Sequence, residues 1–207
     1  MRIVVFGGTG SVGRLVVEQA LAHGHDVTVF TRRRAAVARQ QPRLRVVEGD
    51  VFDVGAVAPV VAGQDAVVVT LGAGRRGGVR ARGTATVVEA MHQTGVRRLV
   101  VQSTLGVGDS RSNLDLVWKH LMFGLLLRRA YADHVEQERL TRVSGLDWTI
   151  VRPGAFTDGP RTGSYRRGLE PGQRTSLHVS RADVADFVVE QLTDDTWLHR
   201  TPALAYA

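Results

Sequence analysis

Short apolar runs closed by glycine or polar residues recur along the chain, separated by longer stretches in which apolar positions return every three or four residues. The first unit shows the pattern fully. Residues 2–6 are a nearly unbroken apolar run, glycines stand at 7, 8, 10 and 13, and apolar residues follow at 12, 15, 16 and 20. This predicts a buried strand, a glycine turn and an amphipathic helix. Gly24 suits the position just past that helix, and residues 26–30 alternate as a second strand should. Residues 44–48, 65–69, 98–102 and 147–151 predict four more strands. Helices are expected over 53–62, along the face formed by Thr84, Val87, Val88 and Met91 with Gly95 beyond it, over 114–144 with a break at Gly124, and from Ser180 onward. In the last, Ser180 caps, Asp183 is the third helical residue, and Val184, Phe187, Val188 and Leu192 are buried. Residues 74–83 and 106–113, rich in Gly, Arg, Ser and Asp, read as loops.

Strands alternating with helices give a parallel sheet covered on both faces, with right-handed crossovers. The fold class is therefore α/β, a doubly wound Rossmann-type sheet in a single domain over 1–207. Ligands of such sheets lie outside the carboxyl ends of the strands at the switch point. The glycines of the first turn divide the work. One permits the tight turn, Gly10 lets backbone approach a pyrophosphate, and one lets helix pack on strand, so phosphates meet the N-terminus of the first helix. At the end of the second strand, where an acid would bind a ribose 2′-hydroxyl, the chain has Thr31-Arg32-Arg33-Arg34. Arg32 and Arg33 suit a 2′-phosphate, which makes NADP(H) the expected cofactor, with Arg34 a solvated turn residue.

Composition narrows the alternatives. The 207 residues are 43% hydrophobic, enough for one sizeable core, and contain no cysteine, which excludes disulfides, thiolate metal sites and sulfur nucleophiles. The net charge of +7 is carried by arginine, Lys119 being the single lysine, and is scattered rather than interleaved with aromatics. A nucleic-acid role is not expected. The start of the chain reads as a core strand rather than a signal peptide, and the apolar stretch 121–127, interrupted by Gly124, cannot span a bilayer. The expectation is a soluble cytoplasmic protein with no membrane partner, for which a monomer is compatible.

Several segments together resemble a known family. Gly7-Gly8-Thr9-Gly10-Ser11-Val12-Gly13, Gly49-Asp50-Val51, residues 63–67, residues 144–154 and Thr162-Gly163-Ser164-Tyr165 look like the atypical short-chain dehydrogenase/reductases. The branch they resemble is the NAD(P)H-binding, flavin reductase/biliverdin-IXβ reductase-like group. The resemblance implies that Gly7, Thr9, Gly10, Ser11, Val12 and Gly13 hold the pyrophosphate and Arg32 and Arg33 the 2′-phosphate. It further implies that Asp50 and Val51 flank adenine, that Leu71, Gly72 and Ala73 line the ribose, and that Ser103, with Thr104, lies beside the nicotinamide. Pro153, Gly154, Ala155 and Phe156 then pack against the ring, and 106–144 and 154–179 form the substrate side. Ser103 is the one catalytic candidate.

The family's usual Tyr-x-x-x-Lys base is missing, because Tyr131 is followed by Val135 and Tyr165 by Leu169. Without the lysine nothing lowers a tyrosine pKa, which disfavours alcohol oxidation. Hydride transfer from NADPH to a planar acceptor (flavin, quinone or biliverdin-like tetrapyrrole) needs no such base and is the expected activity. The alternative is a non-catalytic NADP(H) redox sensor of the NmrA-like kind, against which the short length argues. Trp118, Met122 and Phe123 read as core rather than pocket. His134 and Glu138, one turn apart with Asp133 nearby, read as a surface charge cluster, and no metal site is expected.

Overall fold

In the computed structural model, described for residues 1–37, 41–170, 172–173 and 175–207, the predicted strands form one sheet. The elements are β1 Arg2–Phe6, α1 Gly13–Ala22, β2 Asp26–Thr31, β3 Leu44–Glu48, α2 Val54–Val61, β4 Ala66–Val69, α3 Arg80–Thr94 and β5 Arg98–Gln102. They continue with α4 Arg128–Arg142, β6 Asp147–Pro153, β7 Ala155–Thr157, β8 Arg166–Arg167, β9 His178–Ser180, α5 Arg181–Glu190 and β10 Ala203–Ala205. The sheet order is β3-β2-β1-β4-β5-β6-β10-β8, parallel except at the β10–β8 edge, and β7 pairs with β9 in a separate parallel ribbon. The chain order reverses direction between β1 and β4, where Val5 faces Val68 and Phe6 faces Val69. That is the switch point at which such sheets bind ligands.

The strands are continuous apolar runs because both sheet faces are covered. Successive side chains point to opposite faces, so Ile3 and Val5 of β1 and Ala66 and Val68 of β4 enter one core, shared with Val16 and Ala20 of α1 and Phe187 and Val188 of α5. Val4, Phe6, Val67 and Val69 enter the other, with Val57 and Val61 of α2 and Val87 and Met91 of α3.

Two departures from the sequence reading matter for the site. The loop expected over 74–83 is shorter, because α3 begins at Arg80. Its first N–H groups, those of Arg80 and Ala81, donate to the Asp133 carboxylate at 3.1 and 3.0 Å, so the cap is supplied by α4. The helix expected over 114–144 is divided. Val117–Leu126 is a π-helix, closed by the Leu127 N–H donating to the Met122 carbonyl at 2.7 Å, and α4 starts only at Arg128. Gly124, the expected break, lies inside the π-helical segment.

Candidate active site

The glycine turn after β1 divides its roles among three positions. Gly7 has φ +91°, and a Cβ there would lie 2.6 Å from the Thr70 carbonyl oxygen, so it makes the turn and the close approach to the end of β4. A Cβ at Gly13 would strike the Gly7 carbonyl and lie 2.7 Å from Thr70 Oγ1, so Gly13 lets α1 seat against the turn. Gly10 is exposed, without a positive φ, and a Cβ there would meet only the Gly7 carbonyl oxygen, at 3.2 Å. It is the glycine that faces open space. The Val12 N-cap has no side-chain hydrogen bond and the first turn of α1 carries no acid, which leaves the positive end of the helix dipole uncompensated.

Gly7, Gly10 and Val12 line a cleft of about 430 Å³ along the switch point, and Gly13 lies off its wall. Of the sequence-nominated residues, Gly7, Thr9, Gly10, Ser11, Val12, Arg32, Asp50, Val51, Leu71, Gly72 and Phe156 lie on its wall. Arg32 is exposed at the end of β2, and Asp50 uses one carboxylate oxygen to accept from the Phe52 N–H at 3.0 Å. Phe6, Phe30, Phe52, Thr70, Arg80 and Gln102 also line it and were not nominated. Arg33, Ala73 and Pro153 are not on the wall. The Arg33 N–H turns back toward Thr31 Oγ1, at 3.3 Å, and Pro153 is buried with its carbonyl accepting from the Leu105 N–H at 2.8 Å.

A second cavity of about 290 Å³ adjoins the first, and Arg80, Gln102 and Phe156 line both. Its wall includes the nominated Ser103, Thr104, Gly154, Ala155 and Phe156. Its apolar lining comes from Leu105, Leu114, Trp118, Phe123, Leu127 and Leu177. Trp118 and Phe123 are thus cavity residues rather than plain core, with ring centroids 5.7 Å apart. The π-helical segment turns them inward while leaving Leu121 and Leu125 exposed. Met122 does not line the cavity. The part of 154–179 at positions 171 and 174 lies outside the described residues.

The reading of Asp133, His134 and Glu138 as a surface cluster is corrected by the structure, because all three are buried. Their face of α4 packs on α3 and β6, where Asp133 and Glu138 find distant partners. Asp133 caps α3 and lies 3.6 Å from Arg80 Nη1, while Glu138 accepts from Arg152 Nε at 2.9 Å and Nη2 at 2.7 Å. Gln137, also buried, donates to Thr84 Oγ1 at 3.1 Å. His134 lines the second cavity, where burial, with the nearby Arg80 charge, pushes its pKa down to about 3, so the imidazole is neutral.

Several buried polar atoms on these walls have no hydrogen-bond partner among the described residues: Ser103 Oγ, Gln102 Oε1, His134 Nδ1, Arg80 Nη1 and Arg181 Nε. Buried polar groups normally find partners, so these atoms leave the cavity wall with unused hydrogen-bonding capacity. Tyr131 is occupied elsewhere, its hydroxyl donating to the Gly106 carbonyl at 3.1 Å. Tyr165 reaches Asp186 at 3.4 Å, and burial raises its pKa, so neither tyrosine is poised as a base. No group of three or more metal-ligating side chains occurs among the described residues, and no described helix is long and apolar enough to cross a membrane.

Comparisons with known proteins agree with this geometry. The NAD(P)H-binding family matches residues 7–195. The UPF0659 protein YMR090W of Saccharomyces cerevisiae is 30% identical over 210 residues, spanning 93% of this chain and 87% of that protein. Among solved structures, ChuY, an anaerobillin reductase from Escherichia coli O157:H7, is 26% identical with a TM-score of 0.83, covering 99% of this chain and 97% of its own. A short-chain dehydrogenase/reductase from Veillonella parvula in complex with NADP, 20% identical with a TM-score of 0.81 over 99% and 94% of the two chains, shares the fold. The glycine turn, the switch-point cleft and these matches make the chain a member of the NAD(P)H-binding family.

Proposed function

We propose that the protein is an NADPH-dependent reductase that passes hydride to a small planar acceptor held in the second cavity. The observation that carries this reading is the junction of the two cavities, which share Arg80 at the start of α3, Gln102 at the end of β5 and Phe156 in β7. A dinucleotide laid along the first cavity would then present its reactive end to a ligand in the second.

The residues fit the cofactor. The uncapped start of α1 and the open space at Gly10 suit a pyrophosphate, and Arg32, with Arg33 beside it, suits the 2′-phosphate. The Veillonella protein of the same fold is in complex with NADP, which supports this cofactor. When bound, the reduced nicotinamide supplies the hydride. The chain's part is to bind, orient and exclude water. Phe156, at the junction, packs against one face of the ring, and Trp118 and Phe123 bury the acceptor from the other side. Ser103 Oγ, buried and without a partner, donates a hydrogen bond to the acceptor. With neutral His134 and two engaged tyrosines, the proton that completes reduction comes from solvent. The overall change is NADPH, acceptor and one proton to NADP⁺ and reduced acceptor.

The test is steady-state NADPH oxidation with a panel of free FMN, 1,4-naphthoquinone and a biliverdin, beside a Gly10→Val control. Turnover by the wild type and none by the control supports the reading, and Ser103→Ala should lower kcat by about tenfold, the scale of one hydrogen bond. Tight NADPH binding without turnover on any acceptor would favour the redox-sensor reading instead.

A further inference from the structure

The second cavity combines an apolar, aromatic wall with hydrogen-bond donors that lack acceptors. Arg80 Nη1 and Arg181 Nε are both buried and make no hydrogen bond among the described residues, and both arginines line the cavity. A guanidinium can only donate, so each of these atoms calls for an oxygen from a ligand. The acidic groups that neutralise them are committed elsewhere. The Asp133 oxygens accept from the backbone N–H groups of Arg80 and Ala81, and its nearest approach to Arg80 Nη1 is 3.6 Å. Asp158, on Arg181 Nη1 at 2.8 Å, is largely exposed and leaves Nε free. Among the described residues no carboxylate lines the cavity, and His134 beside Arg80 is uncharged.

We infer that the cavity takes a small conjugated ring compound bearing a carboxylate, whose ring packs on Trp118 and Phe123 and whose carboxylate docks on the free donors of Arg80 and Arg181. The inference rests on the reductase reading for the identity of the cavity as the acceptor site, but it concerns binding and can be tested without turnover. An isolated buried guanidinium N–H is costly, and a carboxylate satisfies it with a charge-assisted bond that an amide or ester forms only weakly. The volume of about 290 Å³ is at the small end for ligand cavities, which suits one or two fused rings.

The experiment measures binding of 2-naphthoate and its neutral isostere 2-naphthamide to the full chain, by quenching of tryptophan fluorescence with saturating NADP⁺ present. The acid should bind at least about tenfold more tightly than the amide, with the difference shrinking as salt is raised. Arg181→Gln, at the partly exposed arginine, should reduce the preference severalfold, and Arg80→Gln/Arg181→Gln should abolish it. If the double variant fails to fold, Arg181→Gln alone decides. Equal affinities for acid and amide, a preference unchanged in Arg181→Gln, or a preference that disappears when NADP⁺ fills the cofactor cleft would overturn the inference. The two readings fail separately. Selective naphthoate binding with no NADPH oxidation on any acceptor would leave the anion site standing and remove the reductase, whereas turnover with indifference to the carboxylate would do the reverse.

Discussion

Glu138 holds Arg152 by two hydrogen bonds, 2.9 Å from Nε and 2.7 Å from Nη2, with both side chains buried. The pair ties the middle of α4, one turn beyond His134, to the end of β6, two residues before Gly154. Both ends of the link support walls of the second cavity. Arg152 Nη1 also donates to Asp109 at 2.5 Å, which anchors the segment leading into the π-helix.

Removing one partner of this pair leaves the other charged and buried. Glu138→Ala should destabilise the protein by about 3–5 kcal/mol, read as a large fall in the chemical-denaturation midpoint. The apolar double substitution Glu138→Leu/Arg152→Met should recover more than half of that loss, because no unpaired charge remains. A single variant as stable as the wild type would show that the pair is not what holds α4 to β6.

His134 gives the stability a pH dependence of defined sign. Its pKa falls from an ordinary 6.5 in the unfolded chain to about 3 in the fold, chiefly through burial. Between those values the unfolded chain binds a proton that the folded chain does not, so stability is full above 6.5 and declines as pH falls toward 3, by about 1.4 kcal/mol per unit for one such group. His134→Gln should remove this share of the slope. Urea unfolding from pH 8 to 4 checks it, and parallel curves for wild type and variant would contradict it.

The glycines of the first turn should separate folding from binding. Gly13→Ala places a methyl against the Gly7 carbonyl and Thr70 Oγ1 and should lower the melting temperature markedly. Gly10→Val needs only a small adjustment against the Gly7 carbonyl, and should leave the melting temperature within a few degrees while abolishing NADPH binding. Calorimetric titration beside thermal melts distinguishes the two, and retained NADPH affinity in Gly10→Val would overturn the assignment of the cleft.

On the proposed reading, cofactor preference should depend on Arg32, exposed on the cleft wall at the end of β2. Wild type should bind NADPH at least about tenfold more tightly than NADH, and Arg32→Glu should erase or invert that ratio. Equal dissociation constants in the wild type would remove the 2′-phosphate assignment.

The central sheet is legible in the sequence because its inner strands are buried on both faces, which leaves uninterrupted apolar runs over residues 3–6 and Ala66–Val69. The glycine turn is legible because Gly7 and Gly13 answer to steric demands that few other residues meet. Contacts made at long range are not legible. Asp133, His134, Gln137 and Glu138 look like the wet face of a helix, since their partners Arg80, Thr84 and Arg152 come from other elements. For the same reason Arg80 reads as a loop charge, although it opens α3 and lines both cavities. Trp118 and Phe123 read as core in the sequence but line a cavity, because periodicity separates buried from exposed but cannot tell a packed core from a cavity wall. The short strands β7 to β10, of two or three residues, give too little pattern to detect.

Hydride transfer at the junction of the two cavities is tested most directly with NADPH carrying deuterium at one or the other C4 position, mixed with the protein and 1,4-naphthoquinone. With Phe156 against one face of the ring, transfer should come from a single C4 position. One diastereomer should then yield unlabelled NADP⁺ with a primary isotope effect, and the other should yield NADP⁺ that retains its label. Label lost equally from both diastereomers, or no oxidation of NADPH shown to be bound, would contradict a reductase site at this junction.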